Sequence, residues 1–207
     1  MDTIIYRNQE IKIFNDSSYD WNPREEDENL GTMICFHRNY ILGDKCSERW
    51  SASDLKDYIE DKKNDKVYLP IFAYEHGGIT IRTGAFDCPW DSGQVGYIFV
   101  TREKMLKWYQ AKRLTQSIRV KALRTLNHEI IHQDQWLTGD IWRYEIEDRD
   151  SCGGYFGSDH DDSGLLADAK SDIDWDIKKQ REKRAKILKT YIKGKVPIEY
   201  RTKLINH

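Results

Sequence analysis

No apolar run in this chain approaches the roughly 20 residues that a membrane-spanning helix needs. The opening stretch, MDTIIYRNQE, has neither the basic start nor the apolar segment of a secretory signal, so a cytoplasmic protein is expected. Cysteine is sparse and dispersed, at positions 35, 46, 88 and 152. That spacing gives no paired CxxC motif and no disulfide framework, and reduced thiols are expected. Neither sign of charge prevails: 33% of residues are charged, yet the formal net charge is −2. A uniformly basic nucleic-acid binder and a highly acidic nucleic-acid mimic are both poor fits. There is no internal repeat and no low-complexity segment.

What the chain does have is enough apolar material for a core, much of it in seven Trp and twelve Tyr. At 207 residues it is long enough for one domain, or one domain with an appended helix. Strands are expected over Ile4–Arg7 and Glu10–Phe14, joined at Asn8-Gln9, then over Thr32–His37 and Val67–Tyr74. In the third, Met33, Cys35 and His37 share one side and Ile34 and Phe36 the other. Pro70 marks an edge or an irregularity in the fourth. Ser53 can cap a short helix through Asp61, and Thr101 one over Arg102–Lys112. A further helix is read from about Thr115 to Asn127. A β-hairpin is read from Glu129 to Asp148, turning at Thr138-Gly139-Asp140. A long helix follows from Leu165 to about Lys193, acidic in its first half and basic in its second. The expected class is α+β: a mixed, mainly antiparallel sheet, two packed helices and a long C-terminal helix. Residues 1–160 would form the core and 161–207 a charged helix and tail.

The chemistry concentrates between Tyr74 and Val100. Gly77-Gly78 accepts the backbone of a tight turn, Ile79 and Ile81 alternate as on a strand, and CPWDSG interrupts before Val95. A thiol beside an imidazole can be activated as a nucleophile, so His76, Cys88 and Asp91 are the catalytic candidates if the protein is an enzyme. Cys35 and His37 share a strand face, and Cys152 lies in the glycine-rich DSCGGYFG. With His76 and Cys88 they offer a Cys/His zinc site if their strands are neighbours, but the spacing is not a CxxC pattern, and buried structural Cys with hydrogen-bonded His is the favoured reading. His128-Glu129-Ile130-Ile131-His132 matches HExxH, which binds zinc only when both imidazoles lie one helical turn apart. The expected strand would hold them roughly 13 Å apart, and no metal site is assigned. Asp159-x-Asp161-x-Ser163-Gly164 begins like a calcium loop, but its twelfth position is Lys170 where a bidentate Glu is needed; helix capping is the better reading. The basic run KKQREKRAK can contact phosphates, but no nucleic-acid-binding signature accompanies it.

Six blocks, taken together, resemble a widespread family of uncharacterised proteins encoded by phages and other mobile elements. They are Pro23-Arg24-Glu25 with Asn29-Leu30-Gly31, CFHRNYILGD (35–44), His76-Gly77-Gly78-Ile79, FDCPWDSGQVG (86–96), QDQWLTGD (133–140) and DSCGGYFG (150–157). Family members carry PREWDNLG, C-x-HRRYNLGD, HSGI, F-x-CPWDSGQVG, YDQYLTGD and DSCWGFYG. Here Glu26-Asp27-Glu28 replaces the Trp after PRE, and Gly153 replaces the Trp after DSC. The family pattern calls for Glu129 and the later DQ, not for HExxH. The resemblance implies an accessory protein in the host cell cytoplasm, an anti-defence inhibitor that binds a host defence protein or its nucleotide signal. The binding residues expected on these blocks are Arg24, Glu25, His37, Arg38, Trp90, Ser92, Gln94, Asp134, Gln135 and Asp140. The alternative is a hydrolase or nucleotide-processing enzyme with a Cys/His/Asp centre; a weaker one is a nucleotide sponge gripping phosphate through glycine-rich loops. Cofactors are unknown from these residues, and no membrane partner is expected.

Overall fold

A computed structural model describes residues 2–45, 50–63, 65–147, 151–195 and 197. In chain order the elements are β1 (Asp2–Tyr6), β2 (Gln9–Asn15), α1 (Pro23–Glu26), β3 (Thr32–Cys35), α2 (Ala52–Glu60), β4 (Lys66–Glu75), β5 (Ile79–Arg82), β6 (Ser92–Thr101), α3 (Arg102–Trp108), α4 (Gln116–Thr138), β7 (Ile141–Ile146), β8 (Cys152–Phe156) and α5 (Leu165–Lys195). The class is α+β, with two antiparallel sheets and a long last helix. Among the described residues no helix is long and apolar enough to cross a membrane. The chain forms two compact units, Met1–Asn15 with Trp142–His207, and Asp16–Ile141. The expected division at residue 160 is therefore replaced: the last helix shares a unit with the first two strands.

In the first unit the strand order is β1-β2-β7-β8. Arg7 and Asn8 both take positive φ, 48° and 63°. This is the twist a two-residue hairpin turn needs, and it falls one residue earlier than expected. Ile11, Ile13, Tyr144 and Ile146 alternate onto one face and meet Leu165, Leu166, Ala169 and Ile173 of α5. Each Ile or Leu side chain among them, fully buried, contributes about 1.5–3 kcal/mol. That face, and not a separate domain boundary, holds the start of α5.

In the second unit the order is β3-β6-β4-β5. Alternation along β3 sends Met33 and Cys35 to a core with Ala122, Leu126 and Ile130 of α4 and Met105 of α3. Ile34 goes to the opposite face, with Phe99, Leu55 and Ile59 of α2. Gly96 pairs with Cys35, and a Cβ there would stand 2.0 Å from the Ile34 carbonyl oxygen, so only glycine permits this approach. Pro70 lies where β4 pairs with β6 alone, because β5 covers only Phe72–Glu75; a register shift follows at Ile71/Phe72. The edge-or-irregularity reading thus applies locally, without a free lateral strand.

The largest correction concerns Glu129–Asp148. Residues through Thr138 are helical, and the strand begins only at Ile141; Asp148 lies outside the described residues. Ala122, Leu126, Ile130 and Gln133 are buried at helical spacing, which carries the helix past Asn127. The supposed hairpin turn is the helix stop. Gly139 has φ 69°, its N–H reaches Trp136 O at 3.2 Å, and Asp140 N–H reaches Gln135 O at 2.8 Å. Those two bonds are a Schellman cap. Smaller differences are that α3 stops at Trp108, that Ser51 rather than Ser53 caps α2, and that DSCGGYFG supplies β8.

Candidate functional site

The end of β4, the turn into β5 and the loop before β6 meet at one place in the second unit. Tyr74 pairs with Ser92 in the ladder, and Glu75 N–H donates to Asp91 O at 2.9 Å. The Ser92 hydroxyl donates to the Cys88 carbonyl. The Arg82 guanidinium lies 3.9 Å above the Phe86 ring and donates to the carbonyls of Gly84 and Ala85. Phe86 in turn stacks on Tyr74 at 5.5 Å. These contacts hold the backbone of the CPWDSG loop while leaving the Trp90 side chain 92% exposed.

Asp91 is the hub. Its Oδ2 stands 3.6 Å from His76 Nδ1 and 3.7 Å from Cys88 Sγ. The order is thiol, carboxylate, imidazole. On the adjacent loop His37 Nε2 faces Glu75 Oε2 at 3.6 Å, and Asn39 donates to Glu75 Oε1 at 3.0 Å. Asn39 N–H also donates to His37 Nδ1 at 3.3 Å, so the ring proton of the neutral tautomer sits on Nε2, toward Glu75. A concavity of about 290 Å³ opens between His37, Glu75, Trp90, Asp91, Ser92 and Gly93. A larger one of about 610 Å³ also borders His37, with Phe36, Arg38, Tyr40, Ile41 and Trp50 in its wall.

No family model matches the chain, and neither a curated protein nor a solved structure does. The site must speak through its own geometry.

That geometry brings together His37, His76, Cys88, Trp90, Asp91 and Ser92; Glu25 and Arg38 share only the larger concavity with His37, and the remaining candidates lie elsewhere. Gln94 bonds the Gly96 carbonyl and lines a different concavity beside α2. Glu25 pairs with Lys45 at 2.6 Å beside the larger concavity, whose wall also includes Arg38. Cys152 belongs to the other unit, where its sulfur lies 3.4 Å from the Tyr155 hydroxyl. Cys46 lies outside the described residues.

Arg24 is a structural residue rather than a contact for a partner. It is 3% exposed and spans both oxygens of Asp44, Glu129 Oε2 at 2.8 Å, Asn29 Oδ1 and the Gly31 carbonyl. Glu129 also accepts from the N–H groups of Leu30 and Gly31, and Asp44 from that of Met33. Burial pushes the Glu129 carboxyl up, opposed by Arg24 and those N–H donors. Asp134 likewise serves the fold, accepting from Thr80 Oγ1 at 2.8 Å and Ile81 N–H at 2.7 Å. Burial raises its pKa, those two donors oppose the rise, and Asp140 adds to it. Gln135 and Asp140 contribute to the helix cap through their backbones.

HExxH is helical after all, so the distance objection fails: the rings of His128 and His132 are 5.9 Å apart. Glu129, however, is spent on Arg24 and two backbone N–H groups, which removes the base that a zinc-bound water would need. Among the described residues no group of three His, Cys, Asp or Glu is placed to hold a metal ion. Cys35 sits in the core, where burial, then Asp44, push its thiol up to about 12, with Arg24 opposing. It stays protonated and inert. Sequence reasoning missed Glu75 and Asn39. The available signal was position, since Glu75 adjoins His76 at the end of a strand.

Proposed function

We propose that this protein acts by binding, as an accessory protein of a phage or mobile element that engages a host defence protein through Trp90, Glu75 and Asp91. The observation that carries this is Trp90, an indole left 92% exposed on a loop whose backbone is otherwise fastened. Exposed tryptophan is costly in water and is among the commonest energetic centres of protein interfaces. Two carboxylates line the concavity beside it. An Arg or Lys side chain fits such a place, stacking on the indole and pairing with the acids. The same carboxylates repel phosphate, which favours a protein over a nucleotide signal.

The hydrolase alternative draws less support. Nucleophile activation needs an imidazole against the sulfur and a carboxylate behind the imidazole. Here Asp91 stands between Cys88 and His76, so the thiol meets an acceptor that orients it without a neighbouring imidazole to take its proton.

Affinity capture from host lysate with the tagged protein tests the reading. A specific protein should be retained, lost with Trp90→Ala and kept with Cys88→Ser. Retention unaffected by Trp90→Ala would overturn the proposal. Turnover of a nucleotide or peptide that Cys88→Ser abolishes would establish the enzyme instead.

A further inference from the structure

The last helix changes character part-way along. Leu165, Leu166, Ala169 and Ile173 are buried against β2 and β7, and Ile177 packs at the edge of that cluster. From Lys178 to Tyr191 every residue is exposed. Ile187, Leu188 and Tyr191 lie 61%, 53% and 62% in solvent. At about 100° per residue they continue the angular stripe of Ile173 and Ile177. Ile192, one residue beyond Tyr191, is buried again at 3% exposure, so the stripe is open to solvent over Ile187, Leu188 and Tyr191 and covered on either side of them.

Charge restricts what can cover it. Between Lys178 and Lys195 nine side chains are Lys or Arg and one, Glu182, is acidic. The acids of the first half are already engaged: Asp172 accepts from the Tyr144 hydroxyl at 2.6 Å, Asp168 from that of Tyr155 at 3.0 Å, and Asp174 pairs with Arg7 at 2.9 Å. A second copy of this helix would bring like charge against like. A nucleic acid would satisfy the cations and leave the apolar residues in water. A bilayer would take the apolar residues but also Arg184, which falls inside the stripe, and Arg181 at its edge.

We infer that the distal half of α5 docks an acidic amphipathic helix of a partner protein. The partner's apolar stripe covers Ile187, Leu188 and Tyr191, and its Glu and Asp side chains pair with the flanking Lys and Arg. This is helix-on-helix packing that extends the existing helix–sheet interface. It is opposite in charge to the Trp90 site and independent of it.

The test uses the full chain and four probes: a synthetic helical peptide with a leucine stripe flanked by glutamates, polyglutamate of equal charge, a random-sequence DNA duplex, and phosphatidylcholine–phosphatidylserine vesicles. Binding is followed by fluorescence anisotropy for the soluble probes and by co-sedimentation for vesicles. The peptide should bind at least about ten-fold tighter than polyglutamate or DNA, a loss of about ten-fold being what one well-buried contact costs. Ile187→Ser with Leu188→Ser should remove that advantage while leaving polyglutamate binding unchanged. Arg181→Glu with Arg184→Glu should weaken both. These side chains are exposed, so helicity by circular dichroism should be retained. Peptide binding that is absent, matched by polyglutamate or DNA, or unmoved by the serine variant would overturn the inference, as would vesicle binding that the serine variant abolishes.

Discussion

Arg24 holds together three stretches that are distant in sequence, and its burial sets the cost of losing it. Arg24→Ala leaves Asp44 and Glu129 without their cation and should lower stability by about 3–5 kcal/mol, measured by urea denaturation. Arg24→Lys should recover only part, because an ammonium cannot span the same fork of oxygens. Thiol chemistry separates at the same scale. With Cys35 buried and its thiol held protonated, native protein should lose Cys88 and Cys152 to a maleimide while Cys35 reacts only after denaturation; mass spectrometry of the labelled peptides checks this. His132 gives a pH effect. Burial, then His128, lowers its pKa below 6.5, with Asp27 opposing. The unfolded chain binds that proton first, so the stabilisation is complete above about pH 6.5 and is lost as pH falls toward the folded value. His132→Gln should flatten the fall in melting temperature between about pH 7.5 and 5.5 relative to the parent; Glu129, shifted in the other direction, is common to both proteins. Of these roles only a buried structural Cys was legible in the sequence; those of Arg24 and His132 were not. PRE and NLG read as a recognition motif because polar residues in a loop look alike whether they face a partner or a buried arginine.

At the scale of elements, α4 couples the two ends of its unit's sheet. Asp134 receives the Ile81 N–H on β5, while Glu129 five residues earlier receives those of Leu30 and Gly31 before β3. Asp134→Ala strands a backbone donor and should cost about 1–3 kcal/mol, with faster amide exchange at Ile81 than elsewhere in β5. Gly96→Ala should be far more damaging, since the added carbon meets the backbone of β3 rather than a movable side chain; little folded protein is expected, as judged by the soluble yield and near-ultraviolet dichroism. The length of α4 was hidden for a physical reason. Trp142, Tyr144 and Ile146 alternate clearly, and polar Gln133, which is buried in α4, breaks the apolar period on which helical assignment depends. Alternation alone therefore carries the strand backward over residues that are helical. β3 shows the opposite case, because its two faces meet two different cores and alternation describes Thr32–Cys35; the expected extension to His37 lies beyond the strand's end.

For the whole molecule, the α+β class was legible from the mixture of periods along the chain. The presence of two sheets was not, because β2 finds its partner β7 across the whole of residues 16–141, and sequence patterns do not encode pairings at that range. Glycine turns beside His76, Cys88 and Cys152, and a strand face for His37, marked these residues in the sequence; of them His76 and Cys88 adjoin Asp91, and His37 shares a concavity with Asp91. Their order around Asp91, and the assignment of Cys152 to the other unit, needed coordinates.

The antiparallel ladder of β2 and β7 ends at Asn15 opposite Trp142, and the next bond, from Asp16 N–H to Ile141 O at 2.7 Å, closes the foot of the second unit. The second unit is thus a passenger set into what would otherwise be an ordinary hairpin bend. Splicing Asn15 to Trp142 through a short turn would discard the entire Trp90 neighbourhood yet preserve the ladder and its helix, and a different cargo could be grafted at the same two joints.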